Sequence, residues 1–421
     1  MRTSLYAFTL LALALAQGST QAAETTIKGG TSLNYKYDDN IRVTPTNQIT
    51  LSGLTLDGYV DAAYATPRFE ATAYLKLGIE RYDSVDLDTD DPRLEEPETS
   101  DFDNESQDFN ANISYDWERH TLSLYGRYWR DSTLNTQFQD TGLGGGLRQI
   151  EGATRRTTSM ARGGWQWQLT ERQLLDTTLQ WQTVDYESAF YVGYDYNSIV
   201  TNWSYLLNER LRLQVQPYFS RFENDADRAV SSDTLGLQVG AIWSITEKWV
   251  LNGLVGSALV STEFGGPGIF DFQKFLETGE ITFIKLEDQD STSFIGDVTL
   301  SFDEEYYGFS ANISSSISPS GDGILRQNNE GRLTYYWKPR ERMRLDIDAR
   351  IGRSDTTGDL IDDQRDFSEA GVRLGYQFRQ DWWVSARYRY RTQDYERHGQ
   401  GEGSGNRVAV SVSYRLPKEI L

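Results

Sequence analysis

Apolar and polar residues alternate along most of this chain, and one short phrase interrupts the alternation again and again. The phrase is an aromatic strand end, a tight polar turn and a new alternating run. Its clearest copy runs from Trp165 to Trp181, with Thr170-Glu171-Arg172 at the turn. Further copies turn at Asn208-Glu209-Arg210, Thr246-Glu247-Lys248, Glu118-Arg119 and Arg340-Glu341-Arg342. A period of two on both sides of a polar turn predicts a β-hairpin. The turns at Glu118, Glu171, Glu209 and Glu247 fall roughly 40 to 50 residues apart, a spacing that suits a repeat or meander.

Taken in order, the pattern predicts strands over 27–37, 49–64, 69–82, 109–117, 121–130, 157–169, 173–186, 194–207 and 210–222. It continues with 233–245, 248–262, 291–302, 306–317, 328–338, 342–354, 366–379, 382–395 and 406–416. In 69–82 one face carries Phe69, Ala71, Ala73, Leu75, Leu77 and Ile79, and the other carries Glu70, Thr72, Tyr74, Lys76 and Glu80. Connections alternate between short turns and long polar loops. About 18 such strands (16–20 allowing for ambiguity), long enough to cross hydrocarbon, predict an all-β transmembrane antiparallel up-and-down barrel. The short turns are then periplasmic and the long loops extracellular. Trp117, Trp167, Trp243, Trp249, Trp337, Trp382 and Trp383 lie near the short turns and suit an aromatic girdle. Trp129, Trp181, Tyr186 and Tyr218 are candidates for the outer one. A ribbon at 269–286 could add two strands, but Lys274 and Lys285 argue for a loop hairpin that caps or enters the pore.

Composition sharpens the compartment. Residues 1–22 read as a signal peptide: charged Arg2, an apolar run from Leu5 to Ala16, and small residues near Ala22. The remainder, 23–421, reads as a single outer-membrane barrel domain. There is no cysteine, so neither disulfides nor thiolate metal sites are available. The net charge of -21 argues against a nucleic-acid partner.

Sending the apolar face to lipid sends the other face to the lumen. That parity places Arg127, Arg212, Arg332, Arg344, Arg350, Arg373, Arg387, Arg389, Arg391 and Arg407 inside as candidate pore-lining residues. Guanidinium forks bind carboxylate and phosphate, so such a lumen favours anions. The alternative is that these arginines pair with Asp297, Asp346, Asp348, Asp176 and Glu70 and simply fill the barrel. Asp86 to Asp91 has the early spacing of a calcium loop but lacks its glycine and its bidentate glutamate, so no metal site or cofactor is expected. His120 and His398 fall near opposite ends of the barrel, and without a positioned acid–base pair the chain is not expected to be an enzyme.

The opening Tyr35-Lys36-Tyr37-Asp38-Asp39-Asn40 and the recurring aromatic-Thr/Asn-Glu-Arg/Lys turns resemble outer-membrane barrels encoded with exopolysaccharide export systems, the EpsL-like type. The arginine-rich lumen is also similar in principle to the alginate export channel. The resemblance implies a role in secreting a surface polysaccharide together with periplasmic export components. Three expectations follow: a channel for an acidic polysaccharide or anionic solute, a general or substrate-specific porin, or a closed structural or adhesive barrel. In each the outer surface meets lipid and lipopolysaccharide. The loops at 132–156 and 263–290 are candidate plugs.

Overall fold

The computed structural model describes residues 24–89, 97–136, 154–188, 191–225, 230–265, 269–270, 283–284, 288–357, 364–395, 401–416 and 419–420. The expected signal peptide lies outside them. Eighteen antiparallel strands close into one barrel. β1 (Glu24–Asp38) pairs with β2 (Gln48–Ala65) on one side and with β20 (Gly401–Arg415) on the other, so the wall has no free edge. β3 (Phe69–Asp88), β4 (Asn104–Asp116), β5 (His120–Ser132), β6 (Arg155–Thr170), β7 (Gln173–Tyr186) and β8 (Tyr194–Asn208) follow in the order of the chain. The wall continues through β9 (Leu211–Asn224), β10 (Val230–Ser244), β11 (Trp249–Phe264), β14 (Gln289–Asp303) and β15 (Tyr307–Pro319). β16 (Leu325–Arg340), β17 (Met343–Thr356), β18 (Arg365–Arg379) and β19 (Trp382–Tyr395) complete it. β21 (Glu419–Ile420) extends β20 along Thr26 and Ile27. β12 (Ile269–Phe270) and β13 (Phe283–Ile284) form a two-stranded ribbon outside the wall. Phe272 and Phe275, farther along the 269–286 segment, lie outside the described residues.

The turn phrase works through its first side chain. Thr170 Oγ1 accepts from the backbone N–H groups of Arg172 (3.3 Å) and Gln173 (3.1 Å). Asn208 Oδ1 accepts from Arg210 N (2.9 Å), and Thr246 Oγ1 from Lys248 N (3.2 Å) and Trp249 N (3.1 Å). A short polar side chain that bonds the backbone two residues on competes with strand pairing and closes the turn. Register shifts just before these turns, as between Gln168 and Thr170 or Leu206 and Asn208, supply the extra residue that a tight reversal uses.

Outside, the wall is apolar. Ile313 is 72 % exposed to solvent and Ile351 65 %, and leaving such side chains in water forfeits about 1.5–3 kcal/mol each. A continuous band of this kind fits hydrocarbon, and the chain is an outer-membrane barrel. Trp117, Trp243, Trp337 and Trp382 point outward at the short-turn rim. His120 packs beside Trp165 and Trp167 there, at centroid distances of 6.1 and 5.6 Å, with the two indoles 5.6 Å apart.

Four aromatic assignments need correction. Trp383 alternates inward between Trp382 and Val384, with the Arg415 guanidinium 5.4 Å over its ring. Trp129 lies beneath the Arg127 guanidinium at 4.9 Å, and Tyr186 stacks on Tyr191 at 4.9 Å. Tyr218 covers Gly236 across the β9–β10 pair, where an added Cβ would meet its ring at 2.0 Å. Each of the four sits one residue out of phase with its strand's outward row, and nearness to a strand end does not set that phase. Trp181 does point outward.

The outer mouth is crowded by apolar groups. Ile41 from the β1–β2 loop, Phe102 after the 3-10 turn Thr99–Asp101, Leu134 from α1 (Thr133–Thr136) and Tyr191 from the β7–β8 loop are buried with Ile49, Leu51 and Tyr82. A second cluster completes the lid. β14 pairs with β15 only over Gly296–Asp303, whereas β15 runs on beside β16 to Pro319. Above Ser315 the β15–β16 hairpin therefore leaves the wall and leans across the lumen. Its Ile317 and Leu325 pack against Val184, Tyr194, Phe222, Val230 and Val260. Val192 N donates to Gly321 O (2.9 Å) and Asn224 Nδ2 to Gly323 O (2.8 Å), holding the tip. Gly323 has φ +77°, which favours glycine at this turn. The Phe294 carbonyl on β14, beyond the last β14–β15 pair, accepts from Ser315 Oγ (2.9 Å) and Gln327 Nε2 (3.1 Å). That satisfies an acceptor the split leaves open.

Candidate functional site: the charged lumen

The seam that closes the barrel is built by the Asp38-Asp39-Asn40 run. Asp38, 1 % exposed, accepts from Arg391 Nη2 at 2.7 Å on both oxygens and from Arg407 Nε at 2.6 Å. Asp39 accepts from Asn406 N (2.6 Å) and Nδ2 (2.7 Å). Asn40 Nδ2 donates to Thr44 O (2.7 Å) and Ser404 O (2.9 Å). A buried carboxylate held by two guanidiniums meets the requirement that a buried charge be paired and hydrogen-bonded.

The other arginines on this side, Arg373 excepted, also meet carboxylates. Arg350 and Arg332 share Glu330 at 2.7 and 3.0 Å. Arg389 pairs with Glu369 (3.0 Å), Arg387 with Asp348 (3.2 Å) and Arg344 with Asp346 (2.7 Å). Arg373 lies in register between Asp346 and Arg387 but donates only to Ser385 Oγ (3.4 Å) among the described residues. Of the partners read from the sequence, Asp346 and Asp348 take arginines, and Asp297 accepts from Asn312 instead (2.9 Å). Glu70 makes no ion pair among the described residues. Asp38, Glu330 and Glu369 were missed: Asp38, Glu369 and the Arg350 side of Glu330 meet their arginines across strands, which only the register fixes, whereas Arg332 meets Glu330 two residues along the same strand.

The opposite wall is different. Arg127 is held bidentately by Asp108, at 3.0 and 2.9 Å, and lines a cavity of about 800 Å³ along β4 to β8, beneath Ile317 and Ser318 of β15. The same cavity takes in Arg156 and Arg162 from β6, which sequence reading left out. Arg156, 5 % exposed, donates to Tyr194 Oη (3.3 Å), and Arg162 donates to Gln180 Oε1 (2.8 Å). Neither makes an ion pair among the described residues. Their signal was present in the alternation Arg156, Thr158, Met160, Arg162 against outward Trp165 and Trp167. Beginning the strand at 157 hid Arg156, whereas Arg162 falls inside that strand on its inward face. Arg212 lines a smaller cavity of about 250 Å³ with Asp176, Asn202 and Gln214, nearer the periplasmic rim. Thr178 borders both cavities.

Asp86 and Asp88 border a third cavity beside Asp39, and among the described residues no acidic or histidine group is arranged to hold a metal. Asp90 and Asp91, His398, Lys274 and Lys285, and the Gly142 to Gly146 run of the 132–156 loop lie outside the described residues, as does most of the 263–290 loop. His120 accepts from Trp165 Nε1 (3.3 Å) on the membrane side, away from any lumen carboxylate.

No protein-family profile matches the chain, and no curated protein matches it. The EpsL-like resemblance therefore gains no sequence-family support. Solved barrels are similar in overall form. The FrpB iron transporter from Neisseria meningitidis (F3-3 variant) is 9 % identical, with 92 % of this chain and 81 % of that one covered and a TM-score of 0.47. The ferric-catecholate import receptor Fiu from E. coli K12 is 10 % identical, with 95 % and 82 % covered and a TM-score of 0.46. OccAB3 from Acinetobacter baumannii is 12 % identical, with 94 % and 99 % covered and a TM-score of 0.47.

Proposed function

We propose that the barrel is a passive outer-membrane conduit for small anionic solutes, narrowed at its outer mouth by inward-folded loop residues. The observation that carries the reading is a water-accessible lumen wall with guanidiniums that make no ion pair among the described residues, Arg162 and Arg212 on one side and Arg373 on the other. Fixed positive charge along a low-dielectric passage lowers the barrier for anions. Export of an acidic polymer, which the EpsL-like resemblance implies, is the less favoured reading. It needs an unobstructed mouth, and here four loops and the β15–β16 hairpin meet across it. The conduit is a transporter and not an enzyme on this reading, since its one described histidine is stacked in the membrane girdle.

Arg387, Arg389 and Arg391 alternate along the inward face of β19. Each is spent on a carboxylate, so removing the cations unmasks anions. In planar bilayers under a salt gradient the wild-type chain should reverse on the chloride side. Replacing Arg387 and Arg389 with alanine should leave Asp348 and Glu369 bare and move the reversal potential toward the cation side. An unmoved potential would mean that these pairs do not face the permeation path. A wild-type chain with no conductance at all would favour the closed structural barrel.

A further inference from the structure

Arg156 is a buried guanidinium with an incomplete set of partners. Among the described residues its Nε has no hydrogen-bond partner, and neither has the Oγ1 of Thr158 beside it on the same face of β6. Both residues are more than nine-tenths buried, and both line the 800 Å³ cavity. The nearest carboxylate in register, Asp131, is turned away to Asn104 Nδ2 (2.6 Å) and Ser132 N (2.7 Å). Burying a charge without a counter-charge is costly, and proteins supply the pair from within or from a ligand. Arg162, farther down the same face, is likewise without a carboxylate and is exposed to the cavity. Around them the lining is rich in hydroxyl and amide groups: Asn112, Ser123, Thr178, Gln180 and Ser198. The face of Trp129 adds a flat apolar surface of the kind on which a ring rests.

We infer that this cavity is a binding station for a small polyhydroxylated carboxylate, such as a sugar acid. Arg156 and Arg162 serve as alternative carboxylate anchors along β6, and the hydroxyl and amide groups receive the ligand's hydroxyls. A site that offers both bidentate donors and hydroxyl partners discriminates against analogues lacking either feature, because its own buried groups are then left unpaired. The volume falls in the range usual for small-molecule sites, about 300–1,000 Å³. The inference rests on the conduit reading for access to the cavity, with Arg212 and Thr178 as the approach from the periplasmic side.

The test is equilibrium binding to the full chain in detergent, by calorimetry, with glucuronate, glucose, acetate and inorganic phosphate as probes. Glucuronate should bind, with glucose and acetate at least tenfold weaker. R162Q, on an exposed side chain, should weaken glucuronate at least fivefold, and R156Q should weaken it further. T158V should give a smaller loss without disturbing the fold. Arg350, shared with Glu330 on the far wall, serves as the control, and R350Q should leave binding unchanged. Equal binding of glucose, phosphate binding as tightly as glucuronate, or affinity indifferent to R162Q and T158V would each overturn the proposal. Because binding is read without conductance, a chain that conducts anions but ignores glucuronate loses only the station. One that binds glucuronate but does not conduct loses only the conduit.

Discussion

Replacing Asp38 with alanine should destabilise the barrel by roughly 3–5 kcal/mol, the cost of breaking a buried ion pair by removing one partner. Asp38 accepts from both Arg391 and Arg407, and it joins the first strand of the wall to the last. Alanine there leaves two guanidiniums facing each other in a dry seam. The β1–β20 backbone pairing and the neighbouring Asp39–Asn406 and Asn40–Ser404 bonds then hold the closure without the buried ion pair. Asp38→Asn keeps an acceptor and should lose less. The measurement is urea-induced unfolding in detergent micelles, followed by the electrophoretic shift between folded and unfolded barrel. A midpoint for Asp38→Ala indistinguishable from wild type would show that the seam is held by backbone pairing alone.

The second large effect concerns the mouth. Ile41, Phe102 and Tyr191 come from three different loops and are buried against one another over the lumen. Large-to-small substitution of a buried apolar side chain costs about 2–5 kcal/mol. Cutting all three to serine removes more than short surface loops can recover through their few remaining hydrogen bonds. The loops should release without loss of the barrel, because none of these side chains is a wall position. Single-channel conductance should rise severalfold, while the heat-induced gel shift of the barrel stays where it was. Unchanged conductance with an intact barrel would place the constriction elsewhere, for instance at the β15–β16 tip.

These expectations also mark what could be read from the chain beforehand. Period-two alternation and the Thr/Asn-Glu-Arg/Lys turn yielded the strand number, the sidedness of the loops and the membrane face, because each is a local property of a few residues. The charge pairing was not local. Asp38 and Arg391 are far apart in sequence and meet only because the wall closes, and no pattern within either strand states that register. The same limit explains Glu369, whose partner Arg389 sits on the next strand. Inward aromatics failed differently. Trp129 and Tyr218 are as amphipathic as a girdle residue, and only their phase, set by flanking residues such as Pro217 and Phe219, sends them into the lumen. The lid was the least legible. Its members are single apolar residues inside polar loops, and nothing in Phe102 or Leu134 alone announces that they converge.

Solute flux into liposomes is the most direct test of a gated anion conduit. Vesicles carrying the wild-type chain or the Ile41→Ser, Phe102→Ser, Tyr191→Ser variant would be challenged with gluconate, with the neutral sorbitol and with an acidic polysaccharide. Gluconate should enter about fivefold faster than sorbitol, the ratio given by a favourable potential near 1 kcal/mol. Both should enter faster through the variant, and the polymer through neither. Sorbitol matching gluconate, or polymer passing the wild-type chain, would contradict the conduit described here.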